Sequence, residues 1–126
     1  MSEVVDEKDD RFYVGASTIP AAGNGLFAKI ALPVGAKLEV LGVRVERGSI
    51  ADECTQFADA HKVRFGENEL IIPLGFAGMV NHSARPNMEK YAEGDILYLR
   101  TTKPVAVGEE LFFTYTEYAQ VRFGFR

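Results

Sequence analysis

Cysteine is the scarcest chemical resource in this 126-residue chain: Cys54 stands alone. It has no internal disulfide partner, and a cysteine-rich zinc site is excluded. Positive charge is also short, with 14 lysines and arginines against 18 acidic residues and a net charge of −4. A basic surface that would hold nucleic acid through its phosphates is therefore not expected. No apolar run approaches the ~20 residues needed to cross a bilayer. Residues 1–10 are polar and acidic, which reads as a mobile tail rather than a targeting peptide. Internal repeats and linkers are absent too. What is present is an ordinary balance of 47% apolar and 25% charged residues at a length that suits one compact domain. The expectation is a soluble intracellular protein, cytoplasmic or, in a eukaryote, nuclear, with no metal, membrane or direct nucleic-acid partner.

Turn residues punctuate the chain at short intervals, and between them lie short β-branched or alternating runs. Strands are expected at 11–14, 26–28, 37–45 (one or two around Gly42), 69–74, 95–102 and 111–115. Loops or turns are expected at 17–25, 32–36, 66–68, 93–95 and 104–109. One helix is expected within 49–62, capped by Ser49 with Asp52 three residues on. Its apolar face would carry Ile50, Cys54, Phe57, Ala58 and His61. The end of that stretch alternates through His61, Val63 and Phe65, so a short helix followed by a strand is the reading adopted. By pattern alone the fold is small, mostly β and irregular.

The segment Asn81-His82-Ser83-Ala84-Arg85-Pro86-Asn87 stands apart. It follows an apolar run and sets two amides, an imidazole, a hydroxyl and a proline in seven residues. Buried polar groups need partners, so a strand core is a poor home for this mixture. Pro86 removes a donor and pushes Arg85 toward extended or turn geometry. A local turn closed by Asx-type hydrogen bonds and a functional site are both open readings. A glycosylation acceptor requires secretion, and adjacent His82 and Ser83 lack the elbow that a nucleophilic serine needs.

Two further stretches are Ala22-Gly23-Asn24-Gly25-Leu26-Phe27-Ala28 and Gly108-Glu109-Glu110-Leu111-Phe112-Phe113-Thr114-Tyr115. In this order and spacing the three stretches resemble the SET-domain family of protein lysine methyltransferases, over roughly residues 11–118. The G-x-G element is weak alone; N-H-S-x-x-P-N followed by G-E-E-L-x-x-x-Y is specific. The resemblance implies a mostly β, β-clip-like SET fold of several small sheets, with one short helix and a C-terminal pseudoknot that sets Asn81-His82 beside 111–115. Residues 119–126 would form an aromatic tail.

The activity implied is methyl transfer from S-adenosyl-L-methionine to a lysine amine of a protein or peptide. A neutral, aligned and desolvated amine is what that reaction needs, and no metal. By the resemblance, Ala22, Gly23, Asn24 and Gly25 would meet the cofactor through their backbone, Asn81 would hold its amino-acid end, and His82 would lie against the adenine. Tyr115 would be the catalytic residue, at the meeting point of the two substrates. Phe113, Tyr118, Phe123, Phe125 and Tyr91 would wall the lysine channel, with Phe112 in the core. A homodimer that completes the channel is a further expectation.

The chain departs from the family pattern at Gly78, where an arginine is common, and at Ala84, where a cysteine is common. A tyrosine frequent in the strand after G-L-F-A has no counterpart, since Val40 and Leu41 occupy that neighbourhood. Two other functions therefore stay open: a SET-fold binding module without catalysis, and a small-amine methyltransferase. Nothing in these residues selects a histone.

Overall fold

The computed structural model describes residues 8–55 and 62–114. Among these residues ten short strands make four small sheets. Strand β1 (Phe12–Ala16) pairs antiparallel with β2 (Asn24–Ala28). Strand β4 (Gly42–Glu46) pairs with β6 (Glu69–Pro73), which also takes β5 (Val63–Phe65). The third sheet has the order β3 (Lys37–Glu39), β9 (Ile96–Thr101), β8 (Met88–Glu93). The fourth is a two-residue parallel pair, β7 (Asn81–His82) with β10 (Phe112–Phe113). This is the mostly β, many-sheeted architecture expected. Among the described residues no helix is long and apolar enough to cross a membrane.

Alternation explains the longest hairpin. In β9, Leu97, Leu99 and Thr101 are buried while Ile96, Tyr98 and Arg100 face outward. Gly94, at φ 61°, supplies the left-handed residue that a two-residue turn from β8 to β9 requires. Strand β8 itself was not anticipated. Its sequence, Met-Glu-Lys-Tyr-Ala-Glu, is charged and weakly β-forming, and it occupies an edge, where charge is tolerated because one side stays in water.

The short helix expected ahead of a strand is present, with β5 following it. It spans Ile50–Glu53, with the Ser49 hydroxyl accepting from the Asp52 amide at 3.2 Å, and Cys54 ends it. The apolar face expected of it is not buried where it can be seen: Ile50 is 80% exposed and Cys54 is exposed. Phe57, Ala58 and His61 lie outside the described residues. One turn of helix lacks the length to bury a stripe, and its stability comes from its cap and from Lys62, whose Nζ donates to Asp52 Oδ1 at 2.7 Å. A 3₁₀ turn at Phe76–Met79, also unanticipated, leads into β7.

The core gathers Leu26, Leu38, Val80, Met88, Leu99, Val105 and Leu111, all essentially sealed from water. Strand β2 buries four of its five residues because it is covered on both edges. On one edge lies β1. On the other runs the segment before β10: Gly108 N–H donates to Ala28 O, Ala28 N–H to Glu109 O, and Leu111 N–H to Leu26 O, at 2.8, 3.0 and 2.8 Å. The next two residues, Phe112 and Phe113, turn onto Asn81 and His82. Three segments far apart in sequence thus meet along one seam.

Candidate functional site

The seam has a carboxylate at its centre. Glu110 bridges across to Phe27, which directs its side chain inward, where it is 3% exposed. Glu110 Oε1 accepts from the Thr18 amide at 2.7 Å and from the Thr18 hydroxyl at 2.6 Å. Oε2 accepts from the Ser17 hydroxyl at 2.8 Å and from Asn81 Nδ2 at 3.2 Å. Four donors on two oxygens satisfy a buried carboxylate without a cationic partner. Burial pushes its pKa up, but the hydrogen bonds from Thr18, Ser17 and Asn81 outweigh it and hold Glu110 below the usual carboxylate value.

Room for this arrangement comes from Gly25. A Cβ there would lie 2.3 Å from Glu110 Oε2 and 3.2 Å from Asn81 Nδ2, so only glycine lets the three meet. Upstream, the 17–23 loop closes on itself: Ser17 N–H donates to Gly23 O at 2.9 Å and Ala22 N–H to Ile19 O at 3.2 Å. Ala21 and Gly23 both take positive φ, 62° and 76°.

The second amide of the Asn81-to-Asn87 segment acts as a backbone substitute. Asn87 Nδ2 donates to Glu110 O at 2.9 Å, and its Oδ1 accepts from Phe112 N–H at 2.8 Å. It thereby satisfies two main-chain groups that a two-residue strand pair leaves over. Ser83 N–H donates to Phe113 O at 3.1 Å, and the Ser83 hydroxyl accepts from Arg85 N–H at 3.0 Å. The segment is thus both a short strand and a side-chain-closed turn; β7 finds its partner across the fold, which segment composition does not disclose.

The expected site residues divide. Asn24, Gly25 and Asn81 come together at Glu110, His82 follows Asn81 in β7, and Ala22 and Gly23 lie in the adjoining loop, where Gly23 O accepts from Ser17 N–H. His82 is buried beside Phe113. Phe113 packs into the core and Phe112 is half-buried, which inverts the burial expected for the pair, because the parallel register with Asn81 and His82 sets their faces. Tyr91 sits on the outer face of the β8–β9 sheet, with Tyr98, Lys37 and Arg100 as ring neighbours. Tyr115, Tyr118, Phe123 and Phe125 lie outside the described residues, as does the whole of the expected aromatic tail, 119–126.

Of the backbone groups expected to meet a cofactor, Ala22 N–H, Gly23 O and Asn24 O are already engaged within the protein. Among the described residues the Asn81 amide still has an acceptor to offer: both its contacts there, to Asn24 O at 3.0 Å and to Glu110 Oε2, run through Nδ2, and Oδ1 is neither bonded nor a buried orphan. One unengaged carbonyl beside a side-chain-free Gly25 and a buried carboxylate suits a hydrogen-bond donor such as an ammonium group. Sequence reasoning assigned no role to Glu110, Ser17, Thr18 or Asn87. Glu110 and Asn87 lay inside the quoted stretches, and their polarity beside apolar neighbours was the available signal.

The family model of the SET domain matches residues 23–116. Among solved structures, a humanized mutant of the Chaetomium thermophilum Polycomb Repressive Complex 2, bound to an inhibitor, superposes with a TM-score of 0.70 at 20% identity, covering 84% of this chain and 15% of that one. An apo form of ctPRC2 mutated in Ezh2 gives 0.70 at 20% identity, over 88% of this chain and 16% of that one. A candidate histone methyltransferase of Plasmodium falciparum gives 0.62 at 18% identity, over 87% and 96%. At such identities the likeness is one of fold, and this chain spans 15 to 16% of the first two. No curated protein matches it in sequence.

Proposed function

The chain belongs to the SET-domain family, and from that premise we propose that it transfers a methyl group from S-adenosyl-L-methionine to a lysine amine of a protein. The observation that carries this reading is the convergence of the Ala22-to-Ala28, Asn81-to-Asn87 and Gly108-to-Thr114 stretches on one buried junction around Glu110. When bound, the cofactor supplies a methyl group on a positively charged sulfur. The lysine nitrogen must then arrive neutral and in line, and water must be kept away. Asn81 and the Gly25 cradle fix the amino-acid end, and His82 lies against the adenine. Tyr115, next in sequence to Thr114, orients the amine through its hydroxyl, with Tyr118, Phe123 and Phe125 as the channel's further aromatics.

Incubation with labelled S-adenosyl-L-methionine and a lysine-rich protein mixture should label protein. Tyr115→Phe should cut that rate about tenfold to a thousandfold, equivalent to roughly 1.4 to 4 kcal/mol, because it removes one oxygen while keeping the ring. Absence of labelling together with absence of cofactor binding by calorimetry overturns the reading. A catalytically silent binding module is the second reading, favoured by Val40, which is 6% exposed where the family often carries a tyrosine. Cofactor binding without turnover on a broad peptide array selects it. Labelled product smaller than a protein selects a small-amine methyltransferase instead.

A further inference from the structure

We propose that Glu110 is a positioning residue: it keys the Asn81 side chain so that the amide's carbonyl oxygen, and not its nitrogen, is presented to the ligand. The inference rests on the cofactor reading above and deepens it. Asn81 Nδ2 lies 3.0 Å from Asn24 O and 3.2 Å from Glu110 Oε2, and both are pure acceptors. The opposite amide orientation would set Oδ1 against two oxygens, so the two N–H groups turn inward and Oδ1 turns outward. A site presenting an acceptor selects a hydrogen-bond donor, and the carboxylate behind it adds a field that favours positive charge. The ligand group recognised there is therefore an ammonium.

The donor set around Glu110 makes this keying specific to a carboxylate. Replacing it with glutamine turns one oxygen into an NH₂ group. That group cannot stand at Oε1, because the Thr18 amide there is a donor that cannot accept. It must stand at Oε2, where the Ser17 hydroxyl can rotate to accept but the Asn81 amide faces it N–H to N–H. Either orientation of Asn81 then meets a like partner, Nδ2 against the glutamine NH₂ or Oδ1 against Asn24 O, so the amide no longer has one favoured orientation and Oδ1 is no longer held toward the ligand. The change is nearly isosteric, so the Gly25 cradle is kept.

Two nucleosides separate positioning from general damage. S-adenosylhomocysteine carries the amino-acid end; methylthioadenosine shares the thioether nucleoside and lacks that end. Calorimetry on wild type and Glu110→Gln should show S-adenosylhomocysteine weakened about tenfold or more, and methylthioadenosine by less than about twofold. Equal loss for both ligands, or unchanged S-adenosylhomocysteine affinity in a folded variant, overturns the inference and leaves the cofactor reading intact. Wild-type protein that binds neither ligand overturns the cofactor reading and this inference with it. Should the variant not fold, NMR of the wild-type protein decides: the Asn81 side-chain N–H signals should exchange slowly with water. Exchange at the rate of a solvated amide overturns the inward orientation.

Discussion

Two parts of this molecule are rich in polar contacts, and they differ in what water can reach. At the Glu110 seam a carboxylate is enclosed and answered by four neutral donors. On the outer face of the β3–β9–β8 sheet, Lys37 Nζ lies 2.8 Å from Glu93, 5.1 Å from the Tyr91 ring centre and 5.4 Å from that of Tyr98. Arg100 stacks over Tyr91 at 3.9 Å and pairs with Glu89 at 3.4 Å. The outer face has more charges and ring contacts, yet each group there keeps water as an alternative partner, so loss of one contact is largely made good. Within the seam the acceptor itself is 3% exposed and its hydrogen bonds are part-buried, so a deleted acceptor leaves donors that water replaces less completely. Contact number and contact importance therefore run in opposite directions across this fold.

That contrast can be broken at its strongest point by Glu110→Ala. It strands the Thr18 amide and half of the Asn81 amide, and should lower stability by about 3 kcal/mol in urea unfolding. A loss no larger than at an exposed position would erase the distinction between the two regions. Next is Gly25→Ala, whose methyl group meets Glu110 Oε2; overpacking there should cost about 1 to 3 kcal/mol and weaken cofactor binding together with stability. Asn87→Ala removes the side chain that satisfies Glu110 O and Phe112 N–H, and about 2 kcal/mol is expected.

Acid sharpens the comparison. Because the folded pKa of Glu110 is depressed, its ionised form stabilises the fold above the ordinary glutamate value, near 4.3, and that stability is lost as pH falls below it. Asp9, held down by its Arg11 hydrogen bonds, and Asp52, held down by Lys62 and the Gly48 amide, titrate in the same direction. The Glu110 share is read as the difference between the melting-temperature profiles of wild type and Glu110→Gln, which should converge as acid protonates the carboxyl. Smallest of all, Lys37→Ala removes the central cation of the outer face, and its melting temperature should stay within about 2 °C of wild type. A larger drop would mean that the exposed network acts as a unit.

Local interactions were legible because their partners lie a few residues apart. Ser49 caps with Asp52, Gly94 makes the hairpin turn, and Leu97 and Leu99 alternate with Tyr98 and Arg100, all within reach of a short window of sequence. The short helix followed by a strand was legible, but the apolar period in 49–62 does not say whether a surface exists to bury its face, and Ile50, 80% exposed, lies uncovered at its start. Strand β8 was missed because its charges reflect an edge position, which is a property of the sheet.

The sequence by itself determined the family, through three stretches at fixed spacing, and determined that a glycine-rich loop, an amide-rich segment and a paired-glutamate segment had to matter together. Which glutamate matters was decided by tertiary structure alone. Glu109 and Glu110 are adjacent and chemically identical, yet Glu109 faces water and Glu110 the interior. The pleat sends neighbouring side chains to opposite faces, and its phase here is set by the bridge from Phe27 to Glu110. The donors that make an interior carboxylate tolerable come from Ser17 and Thr18, 93 and 92 residues earlier. No local pattern encodes that pairing, because the free energy that selects it exists only once the distant strands have met.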